Sequence, residues 1–178
     1  MQLRIGQKVA YPSQGVCEVE AIRDKTIGDN AIRFYALRVL SDNSMILVPL
    51  GKADSVGIRP VLTKIRCRQL IDALSADFEH VSEDWKTRSK QFSEQIQSGD
   101  TFQAADVLKK LTFLSHEKRL SFREQTLREK AKFLVVSEIT NAGGNDTKSL
   151  FEKIDDLVEK ACVKHFRSQP RVMTAAIH

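Results

Sequence analysis

The chain predicts an α+β fold: a small, strongly bent antiparallel sheet or barrel, then a compact all-α domain of about five helices. Two observations carry this. Up to about Leu62 the apolar residues recur with the period of strands, and beyond it with the period of helices. Turn-forming residues break the first part into short runs, whereas the second is punctuated by helix caps. The expected division is therefore residues 1–62 and 63–178 of a chain of 178 residues. A change of period, with no long Gly/Ser/Pro spacer, marks that boundary. The halves are thus expected to pack together or to be held at a restricted angle.

Within the first half, Lys8-Val9-Ala10-Tyr11 reads as a strand that ends at Pro12. Gly15 to Ile22 alternates as a half-buried strand does, and Ile32 to Leu40 is rich in β-branched and aromatic residues. Met45 to Val48 is a fourth run, stopped by Pro49. Between them lie Pro12-Ser13-Gln14-Gly15, Gly28-Asp29-Asn30 and Ser41-Asp42-Asn43-Ser44, all built from turn residues.

In the second half, Cys67, Leu70, Ile71 and Leu74 form the apolar stripe of a first helix. Ser82 is the expected N-cap of a second, which contains Trp85 and stops at Gly99. Asp100 caps a third, with Phe102, Ala105, Val107, Leu108, Leu111 and Leu114 facing inward. Ser121-Phe122-Arg123-Glu124 is a capping box for a fourth, which ends at Asn141-Ala142-Gly143-Gly144. A fifth follows Asp146 through Leu150, Ile154, Leu157, Val158 and Phe166, and frays beyond Ser168.

A composition 42% hydrophobic and 29% charged belongs to a folded soluble protein. No apolar run is long enough for a membrane span, and Met1 to Gly6 lacks the core of a signal peptide, so a cytoplasmic protein is expected. Cys17, Cys67 and Cys162 are odd in number and widely spaced, which indicates buried apolar residues rather than disulfides or a zinc ribbon. Gly143 to Ser149 superficially resembles a phosphate loop. That motif needs glycine directly before the lysine, where Thr147 stands, so a helix end and linker is the reading. Cys162 and His165 can reach a metal from one helix face. Two more ligands would have to come from His80, His116 or His178, and no metal site or cofactor is expected. With no nucleophile elbow or paired-carboxylate motif, an enzyme is not expected either.

Charge and one aromatic residue point to a partner class. The net charge of +5 permits contact with nucleic acid without demanding it. Lys109 to Lys132 holds eight Lys or Arg against three Glu, while Asp146 to Glu159 holds five acids against two lysines. Trp85, the single tryptophan, opens a helix beside Lys86, Arg88 and Lys90. Two readings stay open. Trp85 shares a helical face with Phe92 and Ile96 and so fits a core, whereas an aromatic wedge among cations suits nucleic acid.

The segment Ile5-Gly6-Gln7-Lys8-Val9-Ala10-Tyr11-Pro12-Ser13-Gln14-Gly15-Val16 is followed by Val19-x-x-Ile22 and Phe34-Tyr35-x-Leu37-x-Val39. Val48-Pro49, Ser55-Val56-Gly57-Ile58-Arg59, Trp85-x-x-Arg88, Ser98-Gly99-Asp100 and Leu120-Ser121-Phe122-x-Glu124 complete an ordered set over about residues 1 to 140. This set resembles the CarD/CdnL family of bacterial transcription regulators. The resemblance implies an N-terminal Tudor-like domain that docks on the β subunit of RNA polymerase by extending a sheet edge to edge. Ser44 to Val48 is the candidate edge, and Lys25, Met45, Ile46, Leu47 and Val48 are the implied polymerase contacts. Lys25 matches a basic position of the family, whereas Leu47 stands where family members often carry arginine.

The same resemblance implies that Trp85 enters the minor groove at the upstream edge of the melted promoter bubble, with Lys86, Arg88 and Lys90 on the phosphates. Thr87 departs from an arginine common in the family. Arg123, Arg128 and Lys130 extend the implied DNA footprint or form a solvated face. The function implied is a monomeric, cytoplasmic regulator, nucleoid-associated with RNA polymerase, that stabilises the open promoter complex. The alternative is a protein-only adaptor with Trp85 buried.

Overall fold

The computed structural model describes residues 1–143 and 147–169. The expected helix cap at Asp146, together with Gly144 and the tail from Pro170 to His178, lies outside the described residues. Five antiparallel strands open the chain: β1 (Lys8–Tyr11), β2 (Gly15–Ile27), β3 (Asn30–Val39), β4 (Met45–Pro49) and β5 (Arg59–Pro60). Their order across the sheet is β4-β3-β2-β1-β5, so β4 forms one open edge. Of the sheet and barrel readings, the open sheet is the one found. A register shift between Val19 and Ala21 bends β2 across it.

Two strand boundaries differ from expectation for one reason. β2 and β3 continue as a two-stranded ribbon, pairing residue by residue from Ile22 opposite Tyr35 to Ile27 opposite Asn30. Arg23 to Asn30 are exposed, so no apolar alternation betrays the extension; backbone hydrogen bonds sustain it, with a cross-strand pair of Arg33 and Asp24 at 3.0 Å. The short β5, the 3₁₀ turn Leu50–Lys52 and the one-turn helix α1 (Ala53–Val56) carry too few residues to show a period.

One face of the sheet makes its own core from Val9, Cys17, Val19, Tyr35, Leu37, Val39 and Val48, closed by Leu3, Ala53 and Ile58. The helices α2 (Lys64–Leu74), α3 (Trp85–Gln97), α4 (Thr101–Glu117), α5 (Phe122–Gly143) and α6 (Thr147–Ser168) enclose a second core. Cys67, Leu70, Leu74, Val107, Leu111, Leu150, Ile154 and Val158 are all buried. Phe166, expected inward, is exposed; its neighbour His165 is buried instead, because α6 turns that position toward Phe78 and Phe113. The three cysteines are free and buried.

The two cores are fastened by polar contacts from both sides. Arg59 of β5 puts both terminal nitrogens on the Glu138 carboxylate of α5, at 2.5 and 2.8 Å. It also donates to the Gly99 carbonyl at 2.8 Å and to Thr101 Oγ1 at 2.7 Å. Burial opposes the Arg59 charge, but the Glu138 carboxylate outweighs it and holds the guanidinium above its ordinary value. Across the seam, the Val16 N–H donates to Ser137 Oγ at 3.2 Å. Gly15 lies so close to α5 that a Cβ there would stand 3.0 Å from the Phe133 ring.

Candidate nucleic-acid interface

The start of α3 is set by Asp84, not by Ser82. The Asp84 carboxylate accepts from the Thr87 N–H at 3.0 Å, and Trp85 is therefore the first helical residue. Trp85 is 62% exposed, whereas Phe92 and Ile96 are buried. Seven residues of helix span about 10 Å, and the core beneath α3 stops at Phe92 before reaching the indole. The shared face is real, but only its C-terminal part is covered.

Arg88 corrects an expectation. It is only 2% exposed, and its Nη2 meets Glu124 Oε1 at 2.9 Å. Its Nη1 donates to the carbonyls of Ser82 at 2.7 Å and Glu83 at 3.2 Å. A guanidinium so occupied inside the protein is not a free phosphate ligand; it ties the first turn of α3 to the first turn of α5. The Glu124 carboxylate serves two tasks. Its Oε2 completes the capping box by accepting from the Ser121 N–H at 2.9 Å, and its Oε1 takes Arg88. Burial works to raise the Glu124 carboxyl, but the bonds from Ser121 and Arg88 outweigh it and hold it below the ordinary carboxylate range.

A second exposed aromatic residue also opens a helix. Phe122 is the first residue of α5 and is 85% exposed. Both helices joined by the Arg88–Glu124 bridge thus begin with an uncovered aromatic ring. The sequence signal was available: Phe122 follows the cap Ser121 and has no inward role in the box. Lys86 is exposed with its Nζ 5.9 Å from the Trp85 ring centroid, and exposed Arg123 reaches Ser93 Oγ at 3.3 Å. Lys90, farther along α3, is exposed beside Glu94 at 3.9 Å. Lys118 lines a cleft with Ser82, Glu83 and Arg88.

The remaining basic residues do not join this group. Arg128 lines a groove with Glu129, Phe133 and Asp155, and Lys130 lies near Gln14, Ser41 and Asp42 on the sheet side of α5. Within the basic stretch, Lys109 is buried with its Nζ on the Ala73 and Ala76 carbonyls, and desolvation lowers its pKa. Lys110 pairs with Asp106 and Lys132 with Asp155, each at 2.7 Å. Three of the eight Lys and Arg counted along this stretch are thus buried or paired within the fold.

Among the described residues, β4 pairs only with β3, through Met45 opposite Arg38 to Pro49 opposite Phe34. Val48 is buried and Ile46 half-buried on the core face, while Met45 and Leu47 are exposed on the other. Leu47, 44% exposed, is no core leucine. Lys25 is exposed on the ribbon opposite Ile32, two strands from β4. His165, considered as a partner of Cys162 on a metal, instead places Nδ1 2.8 Å from Asp77 and stacks on Phe78.

A small open-edged sheet is thus clamped to an all-α body. Residues 3–62 match the family described as "CarD-like/TRCF RID domain" and residues 69–155 that described as "CarD, C-terminal domain". The chain belongs to the CarD/CdnL family. It is 27% identical over 140 residues to YdeB of Bacillus subtilis (strain 168), whose name marks it as a candidate transcription factor; that match covers 76% of this chain and 89% of YdeB. Among solved structures, the N-terminal domain of Myxococcus xanthus CarD is 39% identical, covering 33% of this chain and 79% of that one, with a TM-score of 0.29. CdnLNt from the same organism is 34% identical, covering 36% and 90%, with a TM-score of 0.32.

Proposed function

We propose that this protein is a non-enzymatic global transcription regulator. It docks on the β subunit of RNA polymerase through the β4 edge and stabilises the open promoter complex through the helical half. The observation that carries the reading is Trp85: an indole 62% exposed on the first turn of a helix, outside a core that already holds Phe92 and Ile96. In water an uncovered tryptophan costs solvation energy, and a distorted base step is an apolar, π-faced surface that covers it. Lys86, Arg123 and Lys90 supply phosphate contacts around it. Arg88 supports this surface from beneath. Arg128 and Lys130 extend the footprint only where DNA runs along α5.

For polymerase, the unpaired side of β4 offers backbone donors and acceptors, with Met45 and Leu47 as exposed apolar contacts and Ile46 and Val48 anchoring the strand to its own core. Lys25 adds a charge from the ribbon. Docking raises the effective concentration of the helical half at the promoter, so weak intrinsic DNA affinity suffices. A monomer working in the cytoplasm, on the nucleoid through polymerase, fits this division of labour. Among the described residues, no helix is long and apolar enough to cross a membrane. The test is capture of the isolated β subunit by the full chain: Leu47→Asp is expected to abolish it while folding is retained. Unchanged capture would move the polymerase contact away from this edge. Acrylamide quenching of the lone tryptophan addresses the adaptor alternative, which requires a protected indole; strong quenching is expected.

A further inference from the structure

We propose that His116, Glu159 and Cys162 form a binding site for a late first-row divalent cation of the zinc class, clasping the end of α4 to α6. Among the described residues, their ligand atoms all lie within 4.8 Å of one another. His116 Nε2 stands 3.1 and 3.0 Å from the two Glu159 carboxylate oxygens. Glu159 and Cys162, three residues apart on α6, share one helical face, and His116 comes from the last turn of α4.

The donor set selects the ion. One thiolate, one imidazole and one carboxylate suit zinc or cobalt(II) and do not suit magnesium or calcium, which take oxygen ligands. Metal–ligand bonds of roughly 2.0–2.3 Å put tetrahedral donors roughly 3.3–3.8 Å apart. The widest present spacing therefore closes by about 1–1.5 Å at most, and the exposed His116 and Glu159 side chains can move that far. Cys162 is buried, and α6 fixes its sulfur.

Three protein ligands leave a fourth position. His116 and Glu159 line a groove of about 630 Å³ between α4, α5 and α6, far larger than the roughly 30 Å³ share of one water, so that position is open to solvent or a small ligand. Cys162 currently directs its thiol at the Lys109 carbonyl at 3.8 Å. On binding, the S–H proton is released to solvent, a metal–sulfur bond forms, and neither metal nor sulfur changes oxidation state.

Titrating the full, reduced chain with cobalt(II) tests the site. Expected are one bound ion per chain, thiolate-to-cobalt charge transfer, the visible bands of a tetrahedral ion, and displacement by zinc. Cys162→Ser should lose the charge-transfer band, and His116→Ala should weaken binding at least tenfold. Because His116 is exposed, the second variant keeps its fold, which circular dichroism checks. A pale octahedral spectrum without charge transfer would overturn the proposal, as would unchanged bands in His116→Ala. Loss of the charge-transfer band only on replacing Cys17 or Cys67 would overturn it too.

Discussion

Trp85 and Arg88 stand three residues apart on one helix and do opposite work. Truncating a buried tryptophan costs roughly 3–5 kcal/mol, but an indole outside the core contributes little to folding. Trp85→Ala is therefore expected to melt near the parent temperature, keep polymerase binding and shorten open-complex lifetime. A large drop in melting temperature would return the indole to the core. A normal melt with unchanged lifetime would end the wedge role. Arg88→Ala should behave the other way round. It leaves Glu124 beside a desolvated gap and the Ser82 and Glu83 carbonyls without their donor, a loss of roughly 3–5 kcal/mol that calorimetry reads. In the fraction that stays folded, the salt dependence of DNA binding should be unchanged, because no phosphate contact is removed. By contrast, Arg123→Ala leaves stability intact and should lower the salt slope by about one unit.

At the level of elements, the informative comparison is between β4 and the ribbon of β2 and β3. Both present unpaired backbone to solvent, but only β4 combines an open edge with exposed Met45 and Leu47 over an anchored Val48. Proline at Ile46 removes one N–H and distorts the strand. Ile46→Pro is expected to weaken capture of the β subunit at least tenfold in a protein whose helical half still melts cooperatively. Undiminished capture by such a folded variant would argue against strand addition. The helix starts follow a related logic: Asp84 and Ser121 cap two helices whose first residues, Trp85 and Phe122, face outward, and the caps hold those rings in fixed positions.

For the whole molecule, the seam between the cores decides how the polymerase edge and the DNA surface are oriented. Gly15 has φ +86° and sits against Phe133, while Arg59 spans β5, Gly99, Thr101 and Glu138. Gly15→Ala adds a Cβ where the backbone is left-handed and the Phe133 ring is already 3.0 Å away. We expect a loss of about 1–3 kcal/mol and faster amide exchange at Val16 and along α5 near Ser137, with the far edge at β4 protected as before. Exchange that rises uniformly would mean that the seam is not a separate contact.

Period and capping made most of the architecture legible from the chain alone. Strand alternation to Val48, the α2 and α4 stripes, the Asp100 cap and the Ser121–Glu124 box are all short-range signals, because burial of one face imposes a period on neighbouring residues. The ribbon beyond Ile22 escaped, since exposed strands held by backbone bonds need no apolar pattern. Which charges are free was not legible either. Arg88, Lys109 and Lys132 read as surface cations, and they are consumed by Glu124, by the Ala73 and Ala76 carbonyls and by Asp155, partners 23 to 36 residues away. The same holds for Trp85, whose periodicity fitted a core that ends about two turns short of it. Local sequence determines which face an element offers, because that depends on dihedral geometry. Only tertiary packing decides what covers the face, because distant segments must meet before a charge is paired or a ring is left in water.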